Sequence, residues 1–122
     1  MEAKIITEQG DVRPITNQEW QQVILPGRNF TIVYPFAGYH ELDQTIPYDA
    51  EGQPVTLLDL LATIYEFYQE PIPQGELTQL IKEEPAIYKA NFNKRLAAMI
   101  RKVNLESLDR LGKDLYGLNL RS

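Results

Sequence analysis

Val55-Thr56-Leu57-Leu58-Asp59-Leu60-Leu61-Ala62-Thr63-Ile64-Tyr65-Glu66-Phe67-Tyr68-Gln69 is the stretch on which the reading of the chain turns. Thr56 stands where an N-cap belongs, its hydroxyl available to an orphan backbone N–H. Asp59 falls at the third helical position, where a carboxylate suits the positive end of the helix dipole. Val55 and Leu60 occupy the two positions of a hydrophobic staple. The spacing predicts a helix to about Gln69, stopped before Pro71. Leu57, Leu61, Ile64 and Tyr68 make one stripe, flanked by Leu58 and Tyr65 on one side and by Leu60 and Phe67 on the other. A helix apolar over so much of its circumference is expected at the hub of the core, packed on more than one side.

Upstream, the same start grammar recurs in Ile15-Thr16-Asn17-Gln18-Glu19-Trp20. Thr16 and Glu19 form a capping box, and Ile15 with Trp20 a staple, which predicts a short helix from Asn17 to about Val23. Trp20 is read as structural, pinning that helix to the core. An opening strand is expected over Ala3–Thr7, with a turn at Gln9-Gly10-Asp11. Phe30–Tyr34 is the clearest strand, β-branched and aromatic between Asn29 and Pro35. Residues 41–48 are expected to pair with it, followed by a turn at Asp49–Gly52.

Downstream, Gly75–Glu84 reads as a short helix with Leu77, Leu80 and Ile81 inward. From Ala86 to about Val103, Tyr88, Phe92, Leu96, Met99 and Val103 recur at three- and four-residue steps, the pattern of a long amphipathic helix. Asn104 is placed to cap a last helix carrying Leu105, Leu108 and Leu111, with Gly112 as its exit. Leu115–Leu120 alternates and is expected to return as an edge strand. The fold class that follows is α+β: a small N-terminal antiparallel sheet packed against a mostly helical C-terminal half.

At 122 residues, 43% apolar and 24% charged, the chain is read as a single globular domain over residues 1–122. With no cysteine, disulfides, thiolate metal sites and cysteine nucleophiles are excluded. His40 is the single histidine, which excludes a multi-histidine metal site. The start Met1–Glu8 lacks the apolar run of a signal peptide, and Val55–Tyr68 is too short and too charged to span a bilayer. An intracellular protein without membrane partners is expected.

The net charge of −5 argues against a dedicated nucleic-acid binder. The charge is divided unevenly. Residues 1–80 hold Lys4, Arg13 and Arg28 against twelve acids, whereas residues 81–122 hold nine basic residues against five acids. Two halves of one domain attracting each other would explain this; a basic docking face is the sharper reading. Lys89, Lys94, Arg95, Arg101 and Lys102 lie in a stretch without a single acid. At about 100° per residue, Lys94 falls beside Arg101 and Arg95 beside Lys102, roughly opposite Phe92, Leu96 and Val103. These five residues are the candidate interaction face, suited to an acidic protein, to the acidic half of another copy, or to phosphates.

Catalytic constellations do not assemble in the sequence. His40 has Glu41 and Asp43 nearby, but no nucleophile is placed beside it, and Ser107 and Ser122 lack a nucleophile-elbow context. Carboxylate pairs stand at Glu66/Glu70 and Glu83/Glu84; the first, one helical turn apart, has a spacing that could serve a metal but reads as a solvated helix face, and the glycines do not form a phosphate loop. The expectation is a protein that is not an enzyme and uses no cofactor or metal.

Thr56–Tyr68, with Pro47-Tyr48 and Gly52 before it, resembles a segment of small uncharacterised proteins of the large DNA viruses that infect amoebae. In those proteins a threonine-capped, leucine-rich helix ends in an Ile-x-x-Phe-Tyr pattern. Leu111-Gly112-Lys113-Asp114-Leu115-Tyr116-Gly117-Leu118 is similar to their closing Leu-Gly-Asp, aromatic, Gly-Leu element, with Lys113 standing between Gly112 and Asp114. The resemblance covers residues 45–118 in outline. It implies a viral protein without known catalytic residues, in the host cytoplasm or nucleus or in the virion, and transfers no site.

Together these readings give a non-enzymatic interaction or accessory protein that binds a protein partner or itself as a homo-oligomer. The alternative is a nucleic-acid-associated accessory factor working through the basic face of residues 89–102.

Overall fold

The computed structural model describes residues 4–6, 8–36, 43–86, 95 and 104–121. At its centre is a mixed four-stranded sheet in the order β5-β4-β8-β7, built from β4 (Phe30–Tyr34), β5 (Gln44–Tyr48), β7 (Asn104–Gly112) and β8 (Leu115–Arg121). Two antiparallel pairs, β4/β5 and β7/β8, are joined through parallel pairing of β4 with β8. Two small antiparallel pairs complete the strands: β1 (Lys4–Ile6) with β2 (Val12–Pro14), and β3 (Val23–Leu25) with β6 (Val55–Thr56). The helices delimited among the described residues are α1 (Asn17–Trp20), α2 (Leu57–Gln69) and α3 (Gln74–Glu83).

Alternation decides which face of the sheet is the core face. Phe30, Ile32 and Tyr34 are buried along β4, while Thr31 and Val33 between them are half-buried. The register places Ile32 level with Ile46 on β5 and with Tyr116 on β8, so Gln44, Ile46, Tyr48, Tyr116 and Leu118 share that face. Leu60, Ile64, Phe67 and Tyr68 of α2 and Leu77 and Leu80 of α3 join the same buried cluster. Aromatic packing is dense there: Tyr34 stacks on Phe67 at 4.1 Å between centroids, and Phe30 on Tyr48 at 4.8 Å.

Both predicted helix starts are present as complete capping boxes. Thr56 Oγ1 accepts from Asp59 N–H at 3.2 Å and Asp59 Oδ2 accepts from Thr56 N–H at 3.1 Å. Thr16 and Glu19 do the same, and Arg13 locks the end of β2 to α1 with two hydrogen bonds to the Glu19 carboxylate, at 2.7 and 3.0 Å. That guanidinium, helped by the Thr16 backbone, holds the Glu19 carboxyl down at about 2. The first helix is shorter than its pattern implies, because Val23-Ile24-Leu25 peels away to pair with Val55-Thr56. Glu51 and Gly52 turn the chain with positive φ of 52° and 75°.

The C-terminal region overturns the expectation of a mostly helical second half. Among the described residues strand outnumbers helix, and residues 104–121 are a β-hairpin rather than a helix followed by an edge strand; the long helix expected over 86–103 lies, apart from Ala86 and Arg95, outside the described residues. The physical reason is a bulge. Leu105 pairs with Leu120 and Leu108 with Leu118, while Ser107 pairs with Asn119, so Glu106 is an extra residue in β7. One inserted residue turns a two-residue strand step into a three-residue step, and Leu105 and Leu108 reach one face at helix-like spacing. A second irregularity between Arg110 and Gly112 displaces Leu111, which lies against Gly117 on the opposite face of the sheet. The strand β8 is internal, between β4 and β7, and the edges are β5 and β7. Pro47 on β5 and the bulges on β7 discourage further strands from adding there.

Thr56→Ala is expected to lower stability by about 1 kcal/mol, seen as a lower urea midpoint with an unchanged slope. Gly27→Ala is expected to cost about 2 kcal/mol. A Cβ there would sit 2.7 Å from backbone atoms of Gly52 and Gln53, which cannot swing aside as a flexible side chain would.

Candidate interaction surface

Of the five basic residues singled out in the sequence, Lys89, Lys94, Arg101 and Lys102 lie outside the described residues, as do His40 and Glu41. Arg95 is described, and it is 6% exposed. Its guanidinium carbon lies 4.7 Å from the centre of the Phe67 ring and 5.3 Å from that of Phe36, the geometry of cation–π contact. Nη1 donates to Glu76 Oε2 at 3.2 Å, and the backbone N–H donates to the Glu70 carbonyl at 3.0 Å. Nε is enclosed, and the nearest Glu70 carboxylate oxygen is 3.7 Å away, attractive as charge but too long for a hydrogen bond. Gln44 Nε2 donates to the other Glu76 oxygen at 2.9 Å, which ties β5, α3 and Arg95 together. Arg95 is a structural cross-link, turned into the fold.

The neighbouring polar groups do structural work as well. Asp43 accepts from the Phe36 backbone N–H at 3.2 Å, and the Tyr68 hydroxyl donates to the Pro35 carbonyl at 2.7 Å. Burial, with the Glu70 charge as a smaller contributor, pushes the Tyr34 hydroxyl up to about 12, and burial likewise raises Tyr68. Among the described residues there is no cluster of metal-ligating side chains. A shallow groove is lined by Leu25, Pro26, Arg28, Phe30, Asp114 and Tyr116, and it has no room for even a water molecule. The Arg28–Asp114 ion pair at 2.6 Å forms part of its wall.

The outer arc of α2 is different in character. The core takes Leu60, Ile64, Phe67 and Tyr68, so the buried stripe is rotated from the one centred on Leu57 and Leu61, both of which are half-buried. The helix is covered on one side rather than on several. Leu58 is left 51% exposed and Tyr65 40% exposed, with Ala62 also in solvent. Leu58 and Tyr65 differ by only about 20° around the axis and lie about 10 Å apart along it, with Ala62 between them. Val23, 56% exposed, pairs with Thr56 at the N-terminal end of this arc. Asp59 and Glu66 run along one flank, and α2 carries no lysine or arginine. The signal was in the sequence: α2 has more large apolar residues than one buried face can use.

Compared with known proteins, the chain matches no family model, no curated protein and no solved structure at a significant level. Among the described residues no helix is long and apolar enough to cross a membrane.

Arg95→Ala is expected to destabilise the fold by about 3 kcal/mol, the lower end of the range for broken buried pairs, since Glu70 keeps access to water. Arg95→Met, which restores contact with Phe36 and Phe67, is expected to cost clearly less; equal losses in urea titrations would show that packing plays no part. Tyr34 gives a pH dependence of known sign. Its hydroxyl titrates near 10 when unfolded and about 12 when folded. The stabilisation is therefore complete below the lower value and lost as pH rises through the higher one. Urea midpoints measured across this interval are expected to fall, and to fall less in Tyr34→Phe.

Proposed function

We propose that the protein is a non-enzymatic interaction protein that binds other proteins through the outer arc of α2. The observation that carries this reading is the exposure of Leu58 and Tyr65 on a single helix line, with Ala62 between them. Isolated exposed leucines are ordinary; an aligned apolar strip on a capped, well-anchored helix is the form in which helices are recognised by partners. Covering the exposed half of Leu58 alone is worth about 1 kcal/mol. The scaffold supports recognition, because the capping box and the buried opposite stripe hold α2 fixed before any partner arrives.

Arg95 bears on the choice between readings. Its charge faces Glu70 and Glu76 inside the fold. A nucleic-acid reading therefore rests on Lys89, Lys94, Arg101 and Lys102 without it.

Site-specific photo-crosslinking in the cells that make the protein tests the proposal. A photoreactive phenylalanine derivative at Tyr65 is expected to give a discrete protein adduct, whereas the same group at Lys113, on the exposed tip of the β7/β8 hairpin, is expected to give none. Leu58→Asp should remove the adduct without unfolding the chain, since an acid is tolerated in the first turn of a helix. No adduct from position 65, or one untouched by Leu58→Asp, would count against the reading.

A further inference from the structure

We infer that the occupant of the α2 arc is a basic amphipathic helix of a partner protein, an inference that rests on the interaction reading above. The shape of the strip selects a helix. Leu58, Ala62 and Tyr65 follow the i, i+4, i+7 spacing along which a second helix seats its own apolar residues. The flank selects the charge. Asp59 and Glu66 lie about 20° apart around the axis, directly beside the apolar strip. Glu66 is exposed and makes no ion pair among the described residues. Asp59 accepts the Thr56 N–H with one oxygen, and the residue remains exposed.

A second copy of the same helix fits poorly. In an antiparallel two-fold pair, Leu58 of one copy would meet Tyr65 of the other. The acidic flank would then lie on the same side in both copies, and Asp59 and Glu66 would face Asp59 and Glu66. In a parallel pair the acids would face the half-buried Leu61 side of the other helix. Neither arrangement supplies a cation, because α2 has none. A partner helix with leucine-like residues along its seam and lysine or arginine along one flank satisfies both features at once, and like-charged helices are rejected.

Two designed helical peptides test this, identical in an Ala/Leu seam and differing only in carrying lysines or glutamates along one flank. Each is titrated into the intact protein by fluorescence anisotropy at low and moderate salt. The lysine peptide is expected to bind roughly five-fold more tightly than the glutamate peptide, with the gap narrowing as salt rises. Glu66→Lys should reverse the preference, and Leu58→Asp should weaken both peptides at least several-fold. Circular dichroism confirms that each variant is folded. Equal binding of the two peptides, binding of neither, or a preference that Glu66→Lys leaves in place would overturn the basic-helix inference. A dimer in light scattering that Leu58→Asp dissolves would also overturn it, while leaving the arc as an interaction surface. A Tyr65 adduct that persists in Leu58→Asp would overturn the interaction reading itself.

Discussion

An arginine guanidinium is enclosed between two phenylalanine rings, and segments from two strands and two helices meet around it. Arg95 is 6% exposed, so its charge must be met from within. Phe36 and Phe67 offer ring faces, Glu76 a direct hydrogen bond, and Glu70 a carboxylate at the end of α2. Each of these belongs to a different segment. Phe36 follows β4, Phe67 and Glu70 close α2, and Glu76 opens α3, where it is also held by Gln44 of β5. One buried cation thus fixes the relative placement of two strands and two helices.

The parts of the fold legible in the sequence are those specified locally. Thr16 with Glu19 and Thr56 with Asp59 announce their helices because each box closes on itself within one turn. Phe30–Tyr34 announces a strand because its alternation is undisturbed, and residues 44–48 pair with it in simple register. Legibility fails where a second residue must be known first. The leucines at 105 and 108 mimic a helix because Glu106 bulges, and only the partner strand shows the bulge. Val23-Ile24-Leu25 is too short to declare itself and is a strand only because Val55-Thr56 lies beside it. Arg95 sits among basic neighbours in the sequence and reads as part of a charged face, whereas its acids are on α2 and α3. On α2 the wheel showed an excess of apolar residues, but it could not show which part the core would take.

The uneven charge along the chain acquires a partial explanation. Arg95, from the basic region, is matched by Glu70 and Glu76 from the acidic one. Asp114 reaches back to Arg28, an acid from the basic region paired with a base from the acidic region. Attraction between the halves therefore operates within one copy at these places. Asp59 and Glu66, on the outer flank of α2, form no ion pair among the described residues, and both are exposed.

The parallel pairing of β4 with β8 has a consequence for the order of folding. Thr31 donates its backbone N–H to Asp114 at 2.8 Å, so the inner edge of β4 is satisfied by a strand made only after α2 and α3. During synthesis Phe30–Tyr34 has one neighbour, β5, and an open row of backbone donors and acceptors on its other side. Such an edge, flanked by aromatic and β-branched side chains, is the kind that pairs with foreign strands. The nascent chain is thus most vulnerable in the interval before the β7/β8 hairpin arrives, and the tight turn at Lys113-Asp114, by bringing those two strands together quickly, shortens the time for which that edge lies open.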